Sequence, residues 1–313
     1  MSSSGRLRSV VVAALLVGCR DAPKDDGPKP PPSAPAPQAE AATPSPTAAP
    51  AATYYDAAKV NEIINPSKLP TYQGPTGSVE GTIVVRGAPP PATTGKRADF
   101  SKCPEAAAVY GSSFRVGATV GEGRTLADAV VAVTGYEGFV PAKTDHVETS
   151  FDACAYDRRT VLLTFGQRLD VYNRSKKQIV TPDIDGQPVL ALRIAAPHSV
   201  SPVHLFPPNP GRFHLIDRGV LGYVDVDVYV LMHPLHATTS IEGTYRIDGI
   251  PAGKATVNVA HPAFTGDAAK DVTVAPNVVT RVDLVLSYGE DAGAKGDAGA
   301  KVDAGKIKPD PLR

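Results

Sequence analysis

The chain has 313 residues and balances 32 Lys and Arg against 32 Asp and Glu, which argues against a basic face tracking nucleic-acid phosphates, an acidic tail or a polybasic lipid patch. Its 31 Pro and 28 Gly exceed ordinary usage of roughly 5% and 7% and fit sheet turns plus linkers, so a helical enzyme is disfavoured. The apolar run from Val10 to Val17 is far shorter than the roughly 20 residues that span a bilayer, so no transmembrane helix is expected.

Arg6 and Arg8 precede that run, and Leu16, Val17, Gly18 and Cys19 close it, which is the order of an export signal with a small residue before the cut. The end of the run resembles a bacterial lipobox. That resemblance implies a signal peptide over residues 1–18 and a lipid on the sulfur of Cys19, the first mature residue, which anchors the protein in a membrane. Arg20 stands where many bacteria place the Asp that retains lipoproteins in the inner membrane, so the resemblance points to an outer-membrane lipoprotein, periplasmic or surface-facing. Residues 19–52 hold 10 Pro and 10 Ala and too little apolar bulk for a core. They read as a disordered tether whose polyproline reach is on the order of 100 Å.

Residues 53–76 lead into the folded part with one short helix expected from Asp56 to Ile64, stopped before Pro66. Strand signals then follow one another: 77–85, 126–136, 159–173, 188–196, 211–217, 223–231, 243–250, 254–261, 270–275 and 278–288, rich in β-branched residues and bounded by Gly, Pro or Asn. In the sixth, Val224, Val226, Val228 and Val230 alternate with Asp225, Asp227 and Tyr229; in the last, Val282, Leu284 and Leu286 alternate with Arg281, Asp283 and Val285. Such alternation packs one face and wets the other, so the fold class is all-β with sandwich architecture. Residues 289–313 repeat Asp-Ala-Gly with Lys and read as a disordered tail. With Cys19 acylated and the compartment oxidising, Cys103 and Cys154 are expected to form a disulfide; two separate thiols or a metal pair is the alternative.

The segment His233 to Gly253, HPLHATTSIEGTYRIDGIPAG, is similar over 21 gapless residues to one found in bacterial cupredoxin-like proteins joined to a carboxypeptidase-regulatory-like, transthyretin-like sandwich. GSVEGTIVVRGAPPP near residue 77 and the closing VDLVL are similar to the first and last strands of that sandwich, and such lipid-anchored envelope proteins are common in myxobacteria-like genomes. The resemblance implies two Greek-key β-sandwiches, a cupredoxin-like module over 77–231 and a transthyretin-like module over 232–288, the first strand shared with the second. CAYDRRTVLLTFGQRLDVYN resembles the cupredoxin stretch leading to the first copper ligand. Blue copper requires a thiolate and two imidazoles. The matching positions here hold Ile179 or Val180, then Arg218, Leu221 and Val224, and no Cys follows residue 154, so the resemblance implies a surviving fold with a degenerate copper site.

His233 and His236 are the one close imidazole pair, but residues three apart on an extended strand face opposite sides, and joint ligation needs a bend at Pro234. His198, His204, His214 and His261 are scattered singly and read as surface or satisfied groups. Asp183, Asp185 and Gly186 begin like a calcium loop without its later oxygens and read as a turn. No nucleophile elbow, zinc-protease motif or phosphate loop is present, so no catalytic residue is assigned. Tyrosines such as Tyr54, Tyr72 and Tyr136 fill the core or, where exposed, stack on sugar rings. Two functions stand: a non-enzymatic, lipid-anchored envelope module that binds a glycan or an envelope protein, with no metal or other cofactor, or a copper electron carrier with an atypical set drawn from His204, His214, His233 and His236.

Overall fold

The computed structural model of the chain describes residues 55–187 and 192–289. The expected signal peptide, Cys19, the tether and the tail beyond Gly289 lie outside the described residues. Helix α1 covers Ala57–Ile64: Asp56 Oδ1 accepts from the Ala58 N–H at 2.8 Å, and Asn65 ends the helix beside Pro66. A second helix, α2, is one turn, Ala107–Tyr110, behind two 3-10 turns over Gly95–Ala98 and Pro104–Ala106.

The strands are β1 (Thr76–Gly87), β2 (Val116–Val120), β3 (Gly123–Leu126) and β4 (Val130–Thr134), then β5 (His146–Asp152), β6 (Ala155–Tyr156), β7 (Thr160–Thr164) and β8 (Arg168–Asn173). There follow β9 (Pro182–Ile184), β10 (Val203–Leu205), β11 (Gly211–Asp217) and β12 (Asp225–Leu231). The chain closes with β13 (His236–Thr238), β14 (Thr244–Pro251), β15 (Gly253–Ala260), β16 (Asp267–Val274), β17 (Val279–Arg281) and β18 (Leu284–Tyr288). The protein is all-β.

Four sheets pack as two sandwiches. One, the host, sets β14-β1-β3-β2, with β17 and β18 added along β1, against β13-β4-β15-β16. Its core joins Val79, Ile83 and Leu126 from one end of the chain to Val257, Leu284 and Leu286 from the other. The inserted sandwich sets β10-β8-β5-β6 against β7-β12-β11-β9 around Phe151, Leu163, Leu169, Leu215, Val226 and Val228. Each such side chain taken fully from water contributes roughly 1.5–3 kcal/mol before ordering entropy is charged.

Strand β1 organises the host. Its first half pairs with β14 and β17 and its second half with β3 and β18, so the neighbouring chain crosses from β17 to β18 against its middle. Gly81 permits that crossing: a Cβ there would lie 1.8 Å from the Val282 carbonyl oxygen.

The expected alternations are present, with Val224, just before β12, and Val226, Val228 and Val230 within it buried, and with Val282, Leu284 and Leu286 inward while Val285 is exposed. Three expected strands are corrected, and one of them, 278–288, is the two strands β17 and β18, parted at Val282 and Asp283. The run 159–173 is two strands, because Gly166 turns the chain at φ +98, a conformation open to Gly. Of 188–196, residues 188–191 lie outside the description and the rest holds only a bridge between Val180 and Ala195. The module limits are also corrected. β2, β3 and β4 pack in the host with β13–β18, so the inserted sandwich starts after Thr134 instead of at residue 77; the shared portion is four strands rather than one.

Cys103 and Cys154 are disulfide-bonded, with Cα atoms 5.9 Å apart. The bridge fastens the helical segment before β2 to the β5–β6 turn, and Phe100, Ala106 and Tyr110 pack on the inserted core beside it.

Candidate functional site

The imidazoles considered as metal donors go to separate places. His204, on β10, puts Nδ1 2.7 Å from Oδ1 of Asp170 on the adjacent β8, and that buried carboxylate also accepts from Arg168 Nε at 3.0 Å. His214, on β11 in the opposite sheet, has Nδ1 2.7 Å from Asp225 Oδ1, and this hydrogen bond raises its pKa. His198 is exposed. His261 is buried and satisfied: Nδ1 accepts from the Ala263 N–H at 3.1 Å, which leaves the proton on Nε2, 3.2 Å from the Ala127 carbonyl. Burial lowers its pKa to about 4.

Asp183 and Asp185 are both held by Arg218, at 2.9 and 3.4 Å, as a charged turn. Among the described residues, Cys103, Glu105 and Cys154 are the only three metal-donor side chains gathered at one point, and two of them are spent on the disulfide. His146, which the sequence reading passed over, lies between Asp145 at 2.7 Å and Glu148 at 3.6 Å; its alternation with Glu148 on β5 was the available signal.

His233 and His236 do come together. They lie where the chain leaves β12 of the inserted sandwich for β13 of the host, anchored on one side by the Phe165 N–H donating to Leu231 O and on the other by the Val133 N–H donating to Leu235 O, each at 2.8 Å. The His236 N–H donates to Pro234 O at 3.0 Å, closing a tight turn, and the bend sets the two rings 6.4 Å apart between centres. Both ring nitrogens of His233 are buried and without a hydrogen-bond partner. His236 Nε2 reaches Thr164 Oγ1 at 3.3 Å. Desolvation lowers the two pKa values to about 4 and about 3, so both rings are neutral at pH 7.

An open groove of about 760 Å³ lies where the host meets the β6–β7 turn. Its floor is an ion pair: Arg115 Nε and Nη2 donate to both oxygens of Asp128 at 2.7 and 2.8 Å, while Asp128 Oδ1 also accepts from the Arg159 N–H at 2.8 Å. Asp128 is buried, at φ +62, a left-handed conformation that Asp tolerates better than most residues, and it ties host to insert. One wall carries Thr238, Thr239, Ser240 and Thr244; Arg158, Arg246, Glu80 and Glu242 stand at its rim. The Thr239 hydroxyl donates to Leu126 O and that of Ser240 bonds Thr244, so neither is poised on an imidazole. The groove offers paired donors and acceptors rather than an activated nucleophile. Its residues come from strands far apart in the chain, and no local motif announces them.

No family model matches the chain, and no curated protein matches it. Among solved structures, a chain of a heme-copper terminal oxidase dimer determined by cryo-EM is similar over 31% of this chain and 71% of that one, at 15% identity and a TM-score of 0.24. Among the described residues, no helix is long and apolar enough to cross a membrane.

Proposed function

We propose that this chain is a non-enzymatic lipoprotein of the bacterial outer membrane, anchored through Cys19, whose groove at the junction of host and insert binds an envelope glycan. The observation that carries the reading is the groove itself: it combines hydroxyls with Arg–carboxylate pairs, so a sugar can exchange water for donors and acceptors already fixed in place. An envelope protein is the other partner of this chemistry. The inserted sandwich is read as cupredoxin-like and the host as carboxypeptidase-regulatory-like. Support for a lost blue-copper set comes from its matching positions: Arg218 is engaged by Asp183, and Val180, Leu221 and Val224 are buried apolar side chains.

The test is twofold. Full-length protein labelled with a fatty acid in cells should take up label and partition with outer membranes, and Cys19→Ser should lose both. Full-length protein in detergent, applied to glycan arrays and to isolated cell wall, should be retained, and Ser240→Trp, at an exposed position on the groove wall, should abolish retention. Retention by a protein partner alone would redirect the reading to that class; retention unchanged by Ser240→Trp, or none at all, would remove the groove from it.

A further inference from the structure

We infer that the loops at one end of the insert, where β8 and β11 finish and β9 begins, form a docking face for an anionic phospholipid bilayer. Val200 at 89% exposure, Ile194 at 65%, Leu192 and Val220 at 64% and Ile179 at 58% are the five most exposed large apolar side chains among the described residues. Scattered singly they would be ordinary surface; gathered at one end they mark a contact.

Backbone bonds gather them. Val180 and Ala195 exchange N–H to carbonyl bonds at 3.1 and 2.8 Å with both side chains buried, so Ile179 and Ile194, one step along, point outward on the same side. Val220 is brought in by the Arg218 N–H donating to Thr181 O at 2.9 Å, and Val200 by the His198 N–H donating to Ser175 O at 3.2 Å. Asp217 accepts from the N–H groups of Thr181 and Leu221, and Asn173 Nδ2 donates to Gln178 O. The main chain at these points is therefore paired within the protein, which lowers the cost of taking it out of water.

Charge selects the partner. Asp183 and Asp185 are engaged by Arg218 and Asp217 is buried, whereas Lys176, Lys177 and Arg193 are exposed and make no ion pair among the described residues. The even charge balance of the whole chain, which argues against a long polybasic segment, does not register three free cations set beside aliphatic side chains. Branched aliphatics flanked by Lys make a poor protein hot spot, because such sites favour aromatic residues and shed Lys from their centre. They suit a bilayer surface, where aliphatic tips enter the acyl boundary and the cations stay at the headgroup phosphates. Each cation near an anionic leaflet is worth roughly fivefold in partitioning, on the order of 100-fold for three.

This face shares no residue with the groove, so glycan retention can fail while lipid docking holds, and the reverse. Its test is also read without a lipid on Cys19: full-length Cys19→Ser is mixed with phosphatidylcholine vesicles, with or without phosphatidylglycerol. The parent should bind the anionic vesicles, less so as salt rises, and amide exchange should slow at residues 192–194 and 218–222 on binding. Lys176→Gln/Lys177→Gln/Arg193→Gln should weaken binding on the order of 100-fold. Ile194→Asp/Val220→Asp, at two exposed positions, should abolish the slowed exchange, and Val285→Asp, exposed on the host, should leave it in place. Circular dichroism checks that each variant stays folded. The proposal is overturned if exchange at these residues does not slow, if the folded Ile194→Asp/Val220→Asp chain is protected as the parent is, or if binding is indifferent to phosphatidylglycerol. Self-association without lipid, read by sedimentation and lost in the same variant, would assign the face to a second copy instead and overturn it as well.

Discussion

The two sandwiches solve closure differently. The host is assembled from residues 76–134 and 236–288, so its sheets complete only after the inserted strands have been made, and none of its strands is joined to another by a disulfide; the one bridge ties its β1–β2 connection, at Cys103, to the insert. The insert is continuous from β5 to β12 but wears its disulfide and a helical cover at the edge of its core. Loop-closure entropy grows only slowly with the length of an intervening segment, so a folded insertion between β4 and β13 is a small burden once β1 has gathered β14, β17, β18 and β3 around it. The outer faces differ as well. The host exposes small local groups such as Arg246 with Glu80 and Asp248, whereas β11 and β12 carry a layer that reaches across the junction: Asp225 meets Arg97 and His214, Asp227 meets Arg212, and Arg212 Nη2 donates to the host at Pro262 O. Apolar alternation makes both cores; the polar layer sets how they are joined.

Acid is expected to separate the two regions most strongly. His261, beside Phe114 of the host core, and His233 and His236 at the junction all have folded-state pKa values well below the ordinary 6.5, because burial opposes their charging. The unfolded chain therefore takes up protons first. Stability is whole above pH 6.5 and falls as the pH drops, until the folded imidazoles themselves protonate near 4 or below. At 1.36 kcal/mol per pH unit, His261 alone accounts for about 3 kcal/mol, and the junction pair acts in the same direction. His214 in the insert works oppositely: its raised pKa gives a contribution present below 6.5 and lost as the pH rises through the folded value. Amide exchange followed from pH 7 to 4.5 should show β4, β13 and β15 losing protection before β8, β11 and β12. Uniform loss would mean the sandwiches unfold as one unit, and no loss would refute the neutral imidazoles.

Reducing the disulfide inverts that order. Opening a loop of 51 residues between Cys103 and Cys154 is worth about 4 kcal/mol in the chain-entropy account, and the groups released, Phe100, Ala106 and Tyr110, all lie on the insert. Denaturant unfolding with and without reductant, paired with Cys103→Ala/Cys154→Ala, should show a loss of this size with protection falling first in β5–β8. Loss beginning in the host would break the assignment of the bridge to one sandwich.

These differences mark what the chain discloses before folding. The valine ladder of β12 and the alternation ending at Leu286 were legible because inward and outward positions differ in chemistry at every second residue. The short strands β9, β10 and β13, each three residues, were not, because three residues carry no period. The extent of the host was hidden for another reason: β2–β4 look like any neighbouring strands, and only long-range pairing with β13 and β15 shows where they belong. The groove was invisible because Asp128 and Arg158 meet Ser240 only across the junction. The pair at 233 and 236 was visible as a spacing, but whether its rings face together depended on the turn at Pro234, where strand periodicity stops applying.

The smallest expected effect concerns α1, which belongs to neither sheet system and rests on the insert. Its start was readable from Asp56 and its end from Pro66, and in the fold Val60 lies over Gly166, where an added Cβ would meet it at 2.7 Å. Tyr55 donates its hydroxyl to Pro207 O at 2.7 Å, a second attachment just before the cap. Eight residues are too few to be helical alone, so α1 persists through Val60, Ile63 and Ile64 against the insert and through its capped first turn. Asp56→Ala removes the side-chain acceptor of that turn and should cost about 1 kcal/mol, confined to the helix. Amide exchange at Ala58 and Lys59 should quicken severalfold while β7 and β8 beneath keep their protection. If β7 and β8 lose protection together with the helix, α1 is part of the cooperative unit of the insert and the division into two sandwiches must be redrawn to include it.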